Sequence, residues 1–447
     1  MAKPTDSIGQ MTPSERGHLF PIILSESLPI WRTLYREEKK KIISAIGQEN
    51  IERIHHIGST SVPGLLAKPT IDILLEIQGS TDLKRLILRL ENIGYIYDPK
   101  PMNPAPGMMF MKGYTLEGFS GQAFHLHVRY LGDWNELYFC HYLRKHPEVA
   151  QRYAFVKLSL KEQFEFDRDA YTEGKTAFCR EITAFARDEL GTRYAIPKRK
   201  LQARLKKAEI DYPSLFSKRV NRPWGVIFLD PNNPTSHDSN HAVITRGKAY
   251  RRILDEIMVI FEKYKIKPRL YDAFRPGQWE ALEPLLTERG FAIKKRTWSL
   301  MIHQTGKTHE VLTTLTFKRQ NSFDENLFKQ LFEESEWPYA MPVQRACFSS
   351  PKFYNFVGYL GEAPVVNASI LNLGNGLYRI DDVETMEAYR SHGYAREMMA
   401  FLVRYFEENI RGTLYLWVSN PVARRIYEEF GFAGSDVLPS GSSAYRK

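Results

Sequence analysis

The sequence predicts a multidomain chain of α/β and α+β type, built from mixed sheets flanked by helices. Three observations carry that expectation. The 447 residues exceed what one hydrophobic core usually organises. Helical and strand-like apolar periodicities alternate along most of the chain. In the second half, the order helix, strand, helix, Gly-Phe, strand occurs twice, which points to an internal duplication; two αβ units sharing a glycine helix stop would read alike. Apolar residues make up 43% and aromatics 13%, which suits several folded cores and not a disordered chain.

A first domain is expected over residues 18–190. Residues 25–47 and 82–94 read as helices and 53–58 and 71–77 as strands. The segment FHLHVRYLG ends a set of short strands, and a mostly helical stretch follows, 134–190. Chemistry-bearing residues concentrate in HHIGSTSVPGLLAKPTIDILLEI, residues 55–77. There a strand runs into Gly58 and Ser59, whose flexible backbone and hydroxyl suit a phosphate, and a later strand carries Asp72, a candidate metal ligand. Paired acids on one strand face would hold the Mg ion of a nucleotide. The slot two residues after Asp72 is Leu74, however, and Glu76 lies about 13 Å along the strand, too far to share one ion.

His125 and His127 share one strand face. They are candidate substitute ligands or a base, or simply a hydrogen-bonded pair lining a polar cleft. Arg144, His146, Lys157 and Lys175 are candidates to neutralise phosphates, though exposed helix charges would look the same. Taken together these segments resemble the GrpB family (UPF0157), a nucleotidyltransferase-like group. The resemblance implies a nucleotidyltransferase-like α/β domain with a nucleotide or phosphate ligand in a cleft near Gly58, Ser59 and Asp72. The missing second acid speaks against Mg-dependent nucleotidyl transfer.

Residues 191–222 contain IPKRKLQARLKKAEIDYP, dense in Lys and Arg and bounded by Pro197 and Pro213. This segment is expected to be a solvated basic linker helix; a nucleic-acid- or phosphate-binding helix is the other reading. The following block, 223–310, carries the first copy of the repeated pattern, with helix-like AYRRILDEIMVIFEKYKI and QWEALEPLLTERGF around extended PRLYDAF, then extended AIKKRTWSLMIH. Its segment LDPNNPTSHDSNHAV places Asp238, Asn240 and His241 either beside an acceptor groove or in a structural loop.

The last block, 311–447, carries the second copy. A strand, LYRIDDVETM, ends at a short turn, Arg390, Ser391, His392, Gly393, Tyr394 and Ala395, and a long amphipathic helix begins there. Gly393 permits a tight turn and Ala395 a close approach, so successive amides would converge on a pyrophosphate at a helix N-terminus. After strand TLYLWV, the spacing Asn420, Ala423, Tyr427, Gly431, Phe432 follows. Both motifs, in this order, resemble the GNAT family of N-acetyltransferases.

That resemblance implies acetyl-CoA as cofactor. Main-chain amides of Arg390, Ser391, His392, Gly393, Tyr394 and Ala395 would hold its pyrophosphate, and Val383 and Thr385 would pair with its pantetheine arm. Asn420 would contact the cofactor and Tyr427 would donate a proton to the departing thiolate. An attacking amine must lose a proton, and Asp382 and Glu384 alternate on the adjoining strand, with Glu384 the better-placed base. Core packing for Tyr427 and a solvent-facing carboxylate for Glu384 are the alternatives. The copy at 223–310 has Thr245, Arg246, Gly247, Lys248 and Ala249 in place of the phosphate turn and Leu286 in place of Tyr427. It is expected to be a degenerate GNAT-like half shaping the acceptor groove, so the full fold expectation is a nucleotidyltransferase-like domain followed by tandem GNAT-like domains.

Sixty-two basic against 52 acidic residues leave a charge of +10, which suits acidic or phosphorylated ligands. Cys140, Cys179 and Cys347 are far apart, which fits a reducing compartment. No signal-like or membrane-spanning apolar run occurs, so the expectation is a cytoplasmic enzyme with an amine or peptide amine acceptor, a nucleotide ligand in its first domain, and neither membrane nor nucleic acid as partner. The alternatives are a nucleotidyltransferase-like enzyme with an acetyl-CoA-sensing module and a nucleic-acid-associated protein.

Overall fold

The computed structural model describes residues 11–304 and 311–446. The chain divides into two compact units, the first running to Ile196 and taking in Asn409–Gly412, the second holding Pro197–Glu408 and the residues from Thr413 on.

In the first unit the elements are α1 (Pro13–Leu19), α2 (Ile30–Ile46), β1 (Ile51–Ile57), β2 (Thr70–Ile77), α3 (Leu83–Glu91), β3 (Ile96–Pro99), β4 (Met108–Thr115) and β5 (Gly118–Tyr130), followed by α4 (Asn135–Lys145), α5 (Pro147–Phe164), α6 (Arg168–Glu173) and α7 (Thr176–Leu190). The sheet order is β1-β2-β5-β4-β3, with β2 and β5 parallel and the other neighbours antiparallel. Strand alternation sorts the two faces. Ile71, Ile73 and Leu75 of β2 and Phe124, Leu126 and Val128 of β5 form the main core with Trp31, Ile42 and Ile46 of α2 and Leu86 and Leu90 of α3. The opposite face takes Leu74 into a smaller cluster with Trp134, Leu137 and Cys140 at α4. Asp72, His125 and His127 belong to this second face. Asp82 caps α3 by accepting from the amides of Lys84 and Arg85 at 3.0 and 3.2 Å.

The second unit opens with α8 (Lys198–Asp211). Then come β6 (Lys218–Arg222), β7 (Gly225–Leu229), β8 (His241–Ile244), α9 (Tyr250–Lys263), β9 (Arg269–Tyr271), α10 (Gln278–Glu288), β10 (Phe291–Lys295) and β11 (Ser299–His303). The C-terminal half adds β12 (Thr316–Gln320), α11 (Glu325–Leu331), α12 (Trp337–Phe348), β13 (Phe353–Leu360), β14 (Ala363–Asn372), β15 (Leu377–Thr385), α13 (Tyr394–Asn409), β16 (Thr413–Val418), α14 (Pro421–Glu429), β17 (Phe432–Ser435) and β18 (Ser442–Arg446).

Its two sheets run β10-β18-β9-β8-β7-β6 and β17-β11-β16-β15-β14-β13-β12. Read side by side they match strand for strand, with β12 as the one addition. In each, a parallel pair brackets a crossover helix, β8-α9-β9 and β15-α13-β16. The last strand of each half crosses into the other half's sheet: β11 inserts between β16 and β17, and β18 inserts between β9 and β10, all antiparallel.

Two sequence expectations change here. A cut at 310/311 does not separate two self-contained sheets, because each half completes the other. The extended segment AIKKRTWSLMIH accordingly breaks into β10 and β11, which lie in different sheets. Residues 191–222 are also not a solvated linker. Helix α8 carries an apolar stripe, Leu201, Leu205 and Ala208, that packs with Leu300, Leu377 and Tyr415, and β6 is a strand of the first of these sheets. Lysine density hid that stripe. Beside it, Glu209 accepts from Tyr415 Oη at 2.7 Å and from Arg379 at 3.3 Å.

Candidate functional sites

The first site grows from a fork between β15 and β16. Their parallel pairing ends at Arg379 and Tyr415, although β15 runs on to Thr385 and β16 to Val418. The cause is a bulge in β15 opposite Asn367 and Ser369, where Asp382 takes φ 52°. Asn367 donates to the Asp382 carbonyl at 3.0 Å, and the Asn355 amide donates to Asn367 at 2.8 Å and to Ser369 at 3.2 Å. This buried polar ladder fixes the bulge. Val383 has no strand partner, whereas Thr385 pairs with Val366, and both are half-buried. The strand edge that faces β16 is therefore open from residue 380 onwards.

At the end of β15 lies the turn from Arg390 to Ala395. Ser391 has φ 68° and Gly393 φ 86°. Among the described residues, the amides of Ser391, His392, Gly393, Tyr394 and Ala395 have no acceptor, and a Cβ on Gly393 would meet nothing within 4 Å. The first turn of α13 thus opens onto free space with its amides unpaired, as an anion requires. The Arg390 side chain folds back on the Thr385 carbonyl at 3.1 Å and the Glu384 carboxylate at 3.0 Å.

Beside the fork is a cavity of about 700 Å³, lined by residues of both sheets and of α8, among them Asp238, Tyr271, Tyr339, Asp381, Asp382 and Trp417. Gln344 donates to Asp382 at 2.5 Å. The Asp382 carboxylate is open to the cavity but ringed by protein. Crowding by protein atoms, then the neighbouring Asp381 carboxylate, raise its proton affinity to about 7. Glu384 is outside this lining, committed to its ion pair with Arg390. Tyr427, on α14, is buried, and its hydroxyl has no partner among the described residues. Burial, then the charges of Asp381 and Glu384, push its pKa up to about 12. Asn420 caps α14, accepting from the Val422 amide at 2.8 Å.

In the first copy, Asp238 accepts from Tyr271 at 2.8 Å and His241 stacks on Tyr271 at 4.1 Å, both on the cavity. Asn240 is structural: it is buried and donates to the Asn233 and Ser236 carbonyls at 2.7 and 3.0 Å. The basic residues of α8 are largely tied to neighbours. Lys198 pairs with Asp436 at 2.6 Å, Lys206 reaches the Phe274 carbonyl at 3.2 Å, and Lys207 pairs with Asp211.

The second site lies in the first unit. Asp72 and His125 are register partners on β2 and β5, with His127 two residues on. Asp72 Oδ1 is 3.3 Å from His125 Nδ1 and 3.5 Å from His127 Nε2. Burial alone would raise the Asp72 pKa, but the hydrogen bonds from both histidines hold it well below the usual carboxylate range. Gly58, at φ 68°, presses so close that a Cβ there would lie 2.3 Å from Asp72 Oδ2. Lys157 Nζ is 3.3 Å from Ser59 Oγ and also donates to the Leu66 carbonyl. Lys175 lies over the Tyr171 ring at 4.4 Å and Lys68 at 5.4 Å.

The expected cleft set therefore assembles, with Lys68, Tyr114 and Tyr171 added; none of these three stands out in sequence. Arg144 and His146 do not join it. Arg144 braces the turn after β1 through Ser61 Oγ at 2.7 Å, and His146 pairs with Glu189 at 2.7 Å. Glu76 is fully committed, accepting from Arg53, the Gly132 amide and Trp134 at 2.6, 2.9 and 3.0 Å. Beside Asp72 stand two histidine nitrogens and, among the described residues, no second carboxylate, a set that does not fit Mg, which prefers an all-oxygen shell.

No helix among the described residues is long and apolar enough to cross a membrane, and all three cysteines are free. Comparison with known proteins gives two family matches: a GrpB protein domain at residues 21–184 and an acetyltransferase (GNAT) family domain at 319–432. A UPF0157 protein of Pseudomonas aeruginosa is 39% identical over 148 residues, covering 33% of this chain and 60% of that protein. The glutamate-rich protein GrpB of Alkalihalophilus pseudofirmus is 32% identical over 170 residues, covering 37% of this chain and 95% of that protein. A solved GCN5-related N-acetyltransferase from Kribbella flavida aligns at 17% identity and TM-score 0.40, over 55% of this chain and 94% of its own. Through its first unit this chain belongs to the GrpB (UPF0157) family, and through its second it carries a domain of the GNAT acetyltransferase family.

Proposed function

We propose that the second unit is an acetyl-CoA-dependent N-acetyltransferase for a small amine, with the acceptor held in the cavity beside the β15–β16 fork. The observation that carries this reading is the run of unpaired amides from Ser391 to Ala395 at the end of an opened strand edge. Those amides suit a pyrophosphate, and the free edge of β15 around Val383 suits the amide groups of a pantetheine arm, bound as a further strand would be. Acetyl-CoA supplies an activated acyl group as a thioester.

The chain's own residues supply binding and proton transfer. Asp382 accepts the proton that the amine loses as its nitrogen bonds to the acyl carbon, directly or through one water. Its raised proton affinity matches that task near neutral pH. Tyr427 gives its proton to the leaving sulfur, and its burial keeps that proton in place until then. We assign the base role to Asp382 in place of Glu384, the candidate expected from strand alternation, because Glu384 is paired with Arg390 and is outside the cavity lining. Asn420 orients α14 and with it Tyr427.

Six carboxylates line the cavity against four basic side chains, and Arg379 among the four is held by Glu209 and Asp381. Aromatic walls with surplus acid favour a cationic amine over an acidic acceptor. The test is a screen of acetyl transfer from acetyl-CoA to a panel of polyamines, amino-sugar amines, amino acids and peptide N-termini. Turnover of cationic small amines is expected. Acetyl-CoA binding without turnover of any amine would leave a sensing module instead.

A further inference from the structure

We propose that Asp72, His125 and His127 bind one divalent transition-metal ion, Zn²⁺ or a neighbour of it in the first row, whose open positions take a phosphorylated anion. Among the described residues, this is the group of three acidic, histidine or cysteine side chains whose donor atoms all lie within 4.8 Å of one another. The separations are those of a coordination polyhedron. Two ligands each about 2.1 Å from a metal, at angles between octahedral and tetrahedral, stand roughly 3.0–3.4 Å apart. Asp72 Oδ1 is 3.3 Å from His125 Nδ1 and 3.5 Å from His127 Nε2, stretched hydrogen bonds whose lengths are close to such an edge.

The sheet builds this arrangement without strain. Parallel register sets Asp72 opposite His125, and pleat alternation puts His127 on the same face. The ligands are also held from behind. Tyr114 Oη meets His125 Nε2 at 2.7 Å, which leaves Nδ1 turned to Asp72, as outer partners of metal-bound histidines do. Gly58 lies where any side chain would collide with Asp72 Oδ2, so the glycine leaves the carboxylate its place. The three side chains are 15–27% exposed, so coordination positions stay open to a further ligand. Two imidazoles and one carboxylate select Zn²⁺, Mn²⁺, Fe²⁺ or Co²⁺ over Mg²⁺.

A second observation gives the class of that further ligand. Lys68, Lys157 and Lys175 have no acidic ion-pair partner among the described residues, and Lys157 is only 2% exposed. Burial, then the charge of Lys175, lowers Lys157 to about 7, and burial, then the same neighbour, lowers Lys68 to about 7. Asp72 is the carboxylate whose charge reaches Lys68 and Lys175, and a cation bound to it would offset that charge. A phosphate group on the metal restores negative charge beside these lysines.

The full chain, stripped of metal with a chelator that is then removed, is titrated with Co²⁺, whose visible absorption reports ligand type, and with Zn²⁺ in competition. One equivalent of each is expected, unaffected by millimolar Mg²⁺. His127→Gln and Asp72→Asn should each weaken Zn²⁺ at least a hundredfold, and Tyr114→Phe, which keeps all three ligands, about tenfold. Inorganic phosphate should shift the Co²⁺ spectrum of the parent chain, and Lys175→Met should weaken that response at least tenfold while the metal stays bound. Equal Zn²⁺ affinity in the parent chain and both ligand variants, each with unchanged far-UV circular dichroism, overturns the metal site. A Co²⁺ spectrum indifferent to phosphate overturns the ligand class.

Discussion

The Gln344 amide donates to the Asp382 carboxylate at 2.5 Å, linking α12 to the bulge that opens β15 from β16. This contact leaves Asp382 one oxygen for a substrate proton and holds it on the cavity wall. It joins the two features on which the proposed chemistry depends, the opened strand edge and the acceptor pocket.

Asp382→Asn should lower kcat by roughly a hundredfold or more with little change in acetyl-CoA affinity, as loss of a general base does. The pH profile gives the sharper readout. Asp382 acts as a base only when ionised, and its proton affinity is raised, so kcat/KM should fall as pH drops through the range just below 7. The variant should lose that limb. Glu384→Gln should keep it.

Tyr427→Phe should lower kcat about tenfold to a hundredfold with KM for acetyl-CoA nearly unchanged. The hydroxyl has no hydrogen-bond partner to lose among the described residues, so the melting temperature should shift little. A large fall in stability with normal turnover would make Tyr427 a packing residue.

Glu209→Ala tests whether α8 belongs to the second unit. Both Glu209 and Arg379 are about 10% exposed, and Tyr415 is fully buried. Removing the carboxylate strands a guanidinium and a phenol, at a cost of about 3 kcal/mol, the low end for a broken buried pair because Asp381 still holds Arg379. Denaturant unfolding measures it. A change below 0.5 kcal/mol, roughly the size of a surface substitution, would return α8 to the status of a linker.

His241 is 2% exposed, and burial lowers its pKa from 6.5 to about 4. The unfolded chain therefore takes up this proton first, so stability is intact above pH 6.5 and declines as pH falls from 6.5 towards 4. At most about 3 kcal/mol is lost this way, from 1.36 kcal/mol per pK unit. His241→Phe should flatten the decline in melting temperature over that window, leaving a residual slope from His303, His55 and His56, each of which burial also lowers to about 4.

Sequence periodicity exposed most elements because helices α9, α10, α13 and α14 each carry their own apolar stripe, and a glycine follows all but α9. The repeated Gly-Phe marked the two copies correctly. It could not show that β11 and β18 change places, since a strand's pattern records that one face is buried and not which sheet buries it. The turn from Arg390 to Ala395, with its unpaired amides, was legible because the positive φ of Gly393 is a property of the local backbone. Simple alternation assumes an unbroken strand, so it could not show that the bulge at Asp382 puts that carboxylate, and not Glu384, on the cavity lining. Lys68 and Tyr114 were invisible for a different reason: their roles come from the pairing of β4 with β5 and from long side chains converging across loops.

The central claim is that the turn from Arg390 to Ala395 binds acetyl-CoA. Isothermal titration of acetyl-CoA into the full chain and into Gly393→Glu tests it most directly. Gly393 has φ 86° and open space before it, so the variant adds both backbone strain and a carboxylate where a pyrophosphate would sit. One site per chain is predicted for the parent protein, with binding weakened at least a hundredfold in the variant. No binding by the parent protein, or equal affinity in both, would contradict the account.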